Sequence, residues 1–178
     1  PRNFPLDVLR VMKEEDKICN YLDIPFQHIS DRILKMMRRG VSSSQTRALI
    51  REFRKEIPEL ALRTTLLTGH PGEGEKEFAE LMDFVRETRF ERMGVFSYSE
   101  EEDTYGAKHY VDSIPEEIKL ERVEQLMDLQ QSISLDLNRA KIGKTFKVVI
   151  DREESDKYIG RTAFDSPEVD NEVIVRSE

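Results

Sequence analysis

Cysteine is almost absent: Cys19 stands alone in 178 residues, which excludes an internal disulfide framework and fits a reducing compartment. Long apolar runs are absent as well. None approaches the ~20 residues that a bilayer-spanning helix needs, so no membrane partner is expected. No charged-then-apolar start resembles a signal peptide, which leaves the cytoplasm as the expected location. Positive charge is in deficit, with 28 Lys and Arg against 36 Asp and Glu and a formal net charge of -8. Bulk electrostatics therefore repel nucleic acid and favour a basic partner. The histidines His28, His70 and His109 lie far apart, with no helical i, i+4 pair and no cysteine partner, so no metal site is expected from them.

What is present is globular. Hydrophobic residues make up 38% and charged residues 36% of the chain, a soluble composition with a highly charged surface, long enough for one domain and part of another. Apolar spacing at Leu6, Leu9 and Met12 predicts a short helix, and Ile18 to Ile24 a strand stopped by Pro25, with Cys19 buried in it. Ser30 is an N-cap candidate for a helix carrying Ile33, Leu34, Met36 and Met37 and ending in Arg38 and Arg39, where the helix dipole favours cations. A helix with Leu49, Ile50 and Phe53 then leads into the strand Leu62 to Thr68. Phe78, Leu81, Met82 and Val85 define a helix over 75–87, and Phe90 to Tyr98 the next strand. Ser99 to Thr104 reads as an acidic surface loop. Pro115 opens a long helix expected to bury Leu120, Val123, Met127, Ile133 and Leu137 and to stop at Gly143. Strand and helix alternating at this spacing predict an α/β fold with a parallel sheet and outer helices over residues 1–140.

After Gly143 the pattern changes. Phe146 to Ile150, Tyr158 to Gly160 and Glu172 to Val175 are short runs separated by acidic turns, which predict a small antiparallel β domain over 141–178. A closed barrel needs about five strands, so this one is expected to be incomplete.

Three blocks carry a resemblance to a known family. Tyr21-Leu-Asp-Ile-Pro-Phe-Gln-His-Ile-Ser30 with Met37-Arg-Arg-Gly40, Leu62-Arg-Thr-Thr-Leu-Leu-Thr-Gly-His-Pro-Gly-Glu73 and Val95-Phe-Ser-Tyr-Ser99 resemble the methylthiotransferase branch of the radical S-adenosylmethionine (SAM) enzymes. Ile142 to Asp151, Tyr158 to Arg161 and Asp165 to Asp170 resemble the TRAM domain that follows the barrel in that family. The resemblance implies the later part of a TIM-like radical SAM barrel followed by the beginning of a TRAM-like β domain. Pro25-Phe26-Gln27-His28-Ile29-Ser30 is similar to the branch that modifies an aspartate of a small-subunit ribosomal protein; the other branch modifies adenosine in transfer RNA. From Lys141 on, seven Lys or Arg face nine Asp or Glu. That is a poor phosphate-binding face, so RNA contact is open but disfavoured by charge, and a basic ribosomal protein suits the chain better.

In α/β barrels the functional loops lie at the carboxyl ends of the strands. Gln27, His28, Gly69, Gly72 and Tyr98 fall there, and Arg63 and Thr65 share one face of their strand, so these seven are the candidates for SAM contacts. Each has a plainer reading. His28 reads more readily as a hydrogen-bonded structural group, while Gly69 to Glu73 is equally a tight turn and Arg63 equally half of a buried ion pair. No residue is assigned a catalytic role.

The resemblance also implies cofactors: SAM, and iron-sulfur clusters whose cysteine ligands this chain lacks. The chain alone is therefore expected to be inactive, with an exposed edge on its first strand through which it self-associates. The remaining alternative class is a noncatalytic binding module.

Overall fold

The computed structural model describes residues 4–176. Helix α1 (Asp7–Glu14) precedes strand β1 (Tyr21–Asp23), and helices α2 (Asp31–Met36) and α3 (Ser43–Glu56) lead to β2 (Ala61–Thr68). Helix α4 (Glu75–Thr88), β3 (Arg92–Ser97), the short α5 (Tyr105–His109) and the long α6 (Glu116–Arg139) complete the first unit. Strands β1, β2 and β3 pair in that order and in parallel, with Asp23 opposite Arg63 and Arg63 opposite Arg92. The alternation read from the sequence thus produces the expected α/β layering. Helices cover one face of this sheet over a core that includes Phe26, Phe53, Leu62, Leu66, Leu81, Phe84 and Phe90. Along β2 the buried positions Leu62, Thr64, Leu66 and Thr68 alternate with the partly exposed Arg63, Thr65 and Leu67, which mark the sheet's open face.

Strand β1 is shorter than Ile18 to Ile24 and excludes Cys19, which is exposed. At its amino end the chain turns instead of extending, the Ile18 N–H donating to the Glu15 carbonyl at 2.9 Å and the Tyr21 N–H to the Cys19 carbonyl at 2.8 Å; at its carboxyl end Pro25 has no N–H for the ladder. The Thr64 hydroxyl fills the gap, donating to the Ile24 carbonyl at 2.8 Å and accepting from the Phe26 N–H at 3.2 Å, and pairing resumes at Gln27. Two helix details also differ from expectation. Ser30 occupies the N-cap of α2 without a side-chain bond, whereas Ser42 caps α3 through a reciprocal box with Gln45. Arg38 lies beyond α2 in a left-handed conformation, its guanidinium 3.8 Å over the Tyr105 ring.

Helix α6 is rotated from the predicted stripe. It buries Lys119, Arg122, Leu126, Gln130 and Ile133, while Leu120 and Met127 are 56% and 41% exposed. Segment 105–109, which carried no helix signal, forms α5, capped by the Thr104 hydroxyl.

The second unit is a three-stranded antiparallel sheet of β4 (Val149–Glu154), β5 (Lys157–Arg161) and β6 (Val173–Arg176). Strand β4 starts three residues later than Phe146, because Phe146 turns aside to meet the Phe164 ring edge-on at 6.1 Å. Among the described residues this sheet has three strands, fewer than closure requires.

Candidate functional site

At the carboxyl ends of the parallel strands the chain turns around one buried carboxylate. Glu73 Oε1 accepts from Thr68 Oγ1 at 2.8 Å and from Arg122 Nη1 at 3.0 Å. Its Oε2 accepts from the Gly69 N–H at 3.1 Å and lies 3.2 Å from His28 Nε2. Burial alone would push this carboxyl up, but the bonds from His28, the Gly69 N–H and Thr68 outweigh it and hold Glu73 below the usual glutamate range. Since the Ser30 N–H donates to His28 Nδ1 at 3.0 Å, the ring proton sits on Nε2 and points at Glu73. Arg122 closes the group with a second bond, from Nη2 to Glu75 at 2.7 Å. A buried charge is tolerated here because every lone pair facing it has a donor.

Lys119, one turn earlier on α6, is the second buried cation. Its Nζ donates to Asp112 at 2.5 Å and to the Tyr98 carbonyl at 3.3 Å. Desolvation lowers its pKa, but Asp112 and Glu116 more than compensate and the net shift is upward. His70 is buried against Tyr98 and Tyr110, with ring centroids 5.1 and 5.9 Å away. Burial moves its pKa down against the opposing Pro71 carbonyl.

Of the seven candidates from the sequence, Gln27, His28, Gly69, Gly72 and Tyr98 gather at this end. Gln27 has φ 69° and spans the ladder, its N–H donating to Thr65 O at 3.0 Å and its carbonyl accepting from Leu67 N at 2.7 Å. Tyr98 is buried, its pKa raised by desolvation and then by Glu100 and Asp112. Thr65 lies mid-strand on the open face. Arg63 lies near the amino end of β2, where it forms ion pairs with Asp170 at 2.5 Å and Asp23 at 3.4 Å, as the ion-pair reading of this residue requires.

Both turn glycines have packing reasons. Gly69 has φ 77°, and a Cβ there would stand 2.5 Å from Lys119 Cγ; Gly72 has φ 85°, with Met36 Cε at 3.1 Å and Arg32 Nη1 at 3.2 Å from the same position. The sequence reading missed Lys119 and Arg122. They share the face of Leu126, Gln130 and Ile133, at i-7 and i-4 from Leu126, but as charged residues they leave no mark in an apolar pattern.

This geometry has known relatives. Coproporphyrinogen III oxidase (HemN) from Escherichia coli, a radical SAM enzyme, superposes with a TM-score of 0.61 at 21% identity over 75% of this chain and 31% of that one. Residues 2–85 match the radical SAM superfamily and residues 142–178 the TRAM domain. Fold and sequence together define a segment of a radical SAM barrel joined to TRAM-domain sequence. The ribosomal protein uS12 methylthiotransferase RimO of Bacteroides thetaiotaomicron is 60% identical over 98% of this chain, and the proteins of that name from Phocaeicola vulgatus and Parabacteroides distasonis are 56% and 53% identical over all of it. Along nearly its whole length the chain is thus similar to radical SAM methylthiotransferases. It spans about 40% of the length of these relatives.

Proposed function

We propose that the intact protein adds a methylthio group to an aspartate of ribosomal protein uS12 in the cytoplasm, using SAM and iron-sulfur clusters. The observation that carries this reading is the 60% identity over 98% of the chain to a RimO protein. A net charge of -8 supports a basic protein substrate over an RNA.

The residues present fit the two cofactors unequally. Among the described residues no group of three or more His, Cys, Asp or Glu is placed to hold a metal, and Cys19 is exposed just before β1, at the end of the sheet opposite the mouth. The described residues do not fit an iron-sulfur cluster. For SAM the fit is that of one wall. The open face offers Thr65, Leu67 and Phe96, the last 63% exposed although it is a large apolar side chain in a strand, and Gln27 and the Gly69–Gly72 turn border it. SAM when bound supplies the methyl group and the radical precursor. The chain's own part is to hold the rim still: His28, Glu73, Arg122 and Lys119 fix the turn and the start of α6 against the strand ends.

The test is to incubate the purified, cluster-loaded intact protein with SAM, a reductant and sulfide, and to offer uS12 or transfer RNA. A methylthio mass on uS12 alone is expected. Modification of the RNA alone would replace this reading with that of the family's other branch.

A further inference from the structure

Register places Arg63 directly opposite Arg92 on adjacent parallel strands. Two guanidinium groups on neighbouring cross-strand positions repel, and both side chains are largely buried. Their counter-charge arrives from the other sheet, on the 162–170 segment that joins β5 to β6. Asp170, 1% exposed, accepts from Arg63 Nη1 at 2.5 Å, from the Tyr21 hydroxyl at 2.6 Å and from the Ser166 N–H at 2.8 Å. Asp165, 5% exposed, accepts from Arg92 Nη2 and from Thr162 Oγ1. Asp23 completes the charge set, 3.4 Å from Arg63 Nε.

The loop is shaped before it docks. Asp165 N donates to Thr162 O at 3.3 Å, Asp170 N donates to Ser166 O at 3.2 Å, and Glu168 takes a left-handed φ of 64°. Burial and the bond to Asp170 push the Tyr21 phenol up to about 12.

We propose that residues 162–170 are a latch that seats the β4–β6 sheet on the amino end of the parallel sheet, with Tyr21, Arg63 and Arg92 as its receptor, and that Asp165 and Asp170 are positioning residues. The second sheet is then a fixed part of the barrel's floor and not an appendage on a linker. It sits at the pole opposite the mouth, roughly 25 Å away, the length of an eight-residue strand. Any substrate segment held on the β4–β6 sheet is therefore remote from the reacting residue, and a bound protein must span that distance. The latch holds the same two sheets together whichever substrate is modified.

The intact protein carrying Asp165→Asn with Asp170→Asn tests it. Hydrogen exchange in the 140–148 linker is expected to rise at least about ten-fold, with a larger maximum dimension in small-angle scattering, while α3 and α4 keep their protection. Arg63→Asp combined with Asp170→Arg is expected to recover most of the lost protection, which a purely local structural role would not allow. A folded Asn double variant with unchanged linker exchange and scattering overturns the latch. Should that variant fail to fold, the charge exchange decides: a folded, compact protein supports the latch and an unfolded one overturns it.

Discussion

Glu73 concentrates the chemistry that a single residue contributes. Its four bonds satisfy a charge that would otherwise be intolerable at zero exposure. Glu73→Gln leaves the buried Arg122 with only the exposed Glu75 as counter-charge and is expected to cost about 3 kcal/mol in denaturant unfolding. The pH dependence has a definite sign. The folded-state pKa is depressed, so Glu73 stabilises fully above the ordinary glutamate value of about 4.3 and loses that contribution as pH falls through its lower folded value. The gap between parent and Glu73→Gln should therefore be widest near neutrality and close in acid; a gap constant with pH would contradict the assignment. Gly69→Ala forces a Cβ against Lys119 at positive φ and should cost about 1–3 kcal/mol in the same assay. Gly94, with nothing within 4 Å of the equivalent Cβ and no positive φ, should tolerate alanine within about 0.5 kcal/mol.

Helix α6 shows what was legible at the scale of an element and what was not. Its existence, start and length followed from Pro115 and the apolar period, yet the predicted buried face was off by a rotation. A stripe chosen by hydrophobicity preferred Leu120 and Met127, whereas the tertiary environment buries Lys119 and Arg122 because Asp112, Glu73 and Glu75 wait for them. Buried ion pairs carry no signal in a hydrophobic pattern. Leu126→Ala should thus cost about 2–5 kcal/mol, and Leu120→Gln less than about 0.5, in thermal unfolding. Strand β1 differed at both ends: its first three expected residues turn through local bonds from Ile18 to Glu15 and from Tyr21 to Cys19, and its carboxyl end is interrupted from a neighbouring strand. The side-chain insertion by Thr64 is a non-local event, and only Pro25 advertised that the ladder would break there. The placement of Gln27, His28, Gly69, Gly72 and Tyr98 at the strand ends was legible from the strand-turn pattern. It was illegible at Arg63, whose partner Asp170 lies over a hundred residues away in sequence.

For the whole molecule, the sequence pattern changes from parallel α/β to short antiparallel strands at Gly143; in the structure α6 ends at Arg139 and β4 begins at Val149. The docking of the two sheets was not visible, since a net charge over residues 141–178 averages away the two carboxylates that make the contact. Among the described residues β1 and β3 each pair on one side only, leaving two free edges. The chain as it stands should self-associate at high concentration in light scattering; a strict monomer would contradict that expectation. Methylthiolation of uS12 by the intact protein is read out by mass spectrometry of small-subunit ribosomal proteins from a strain lacking the gene, with and without the gene restored. Loss and recovery of a methylthio mass on one aspartate of uS12 is the predicted result. An unchanged uS12 together with a lost methylthio mark on transfer RNA would contradict it.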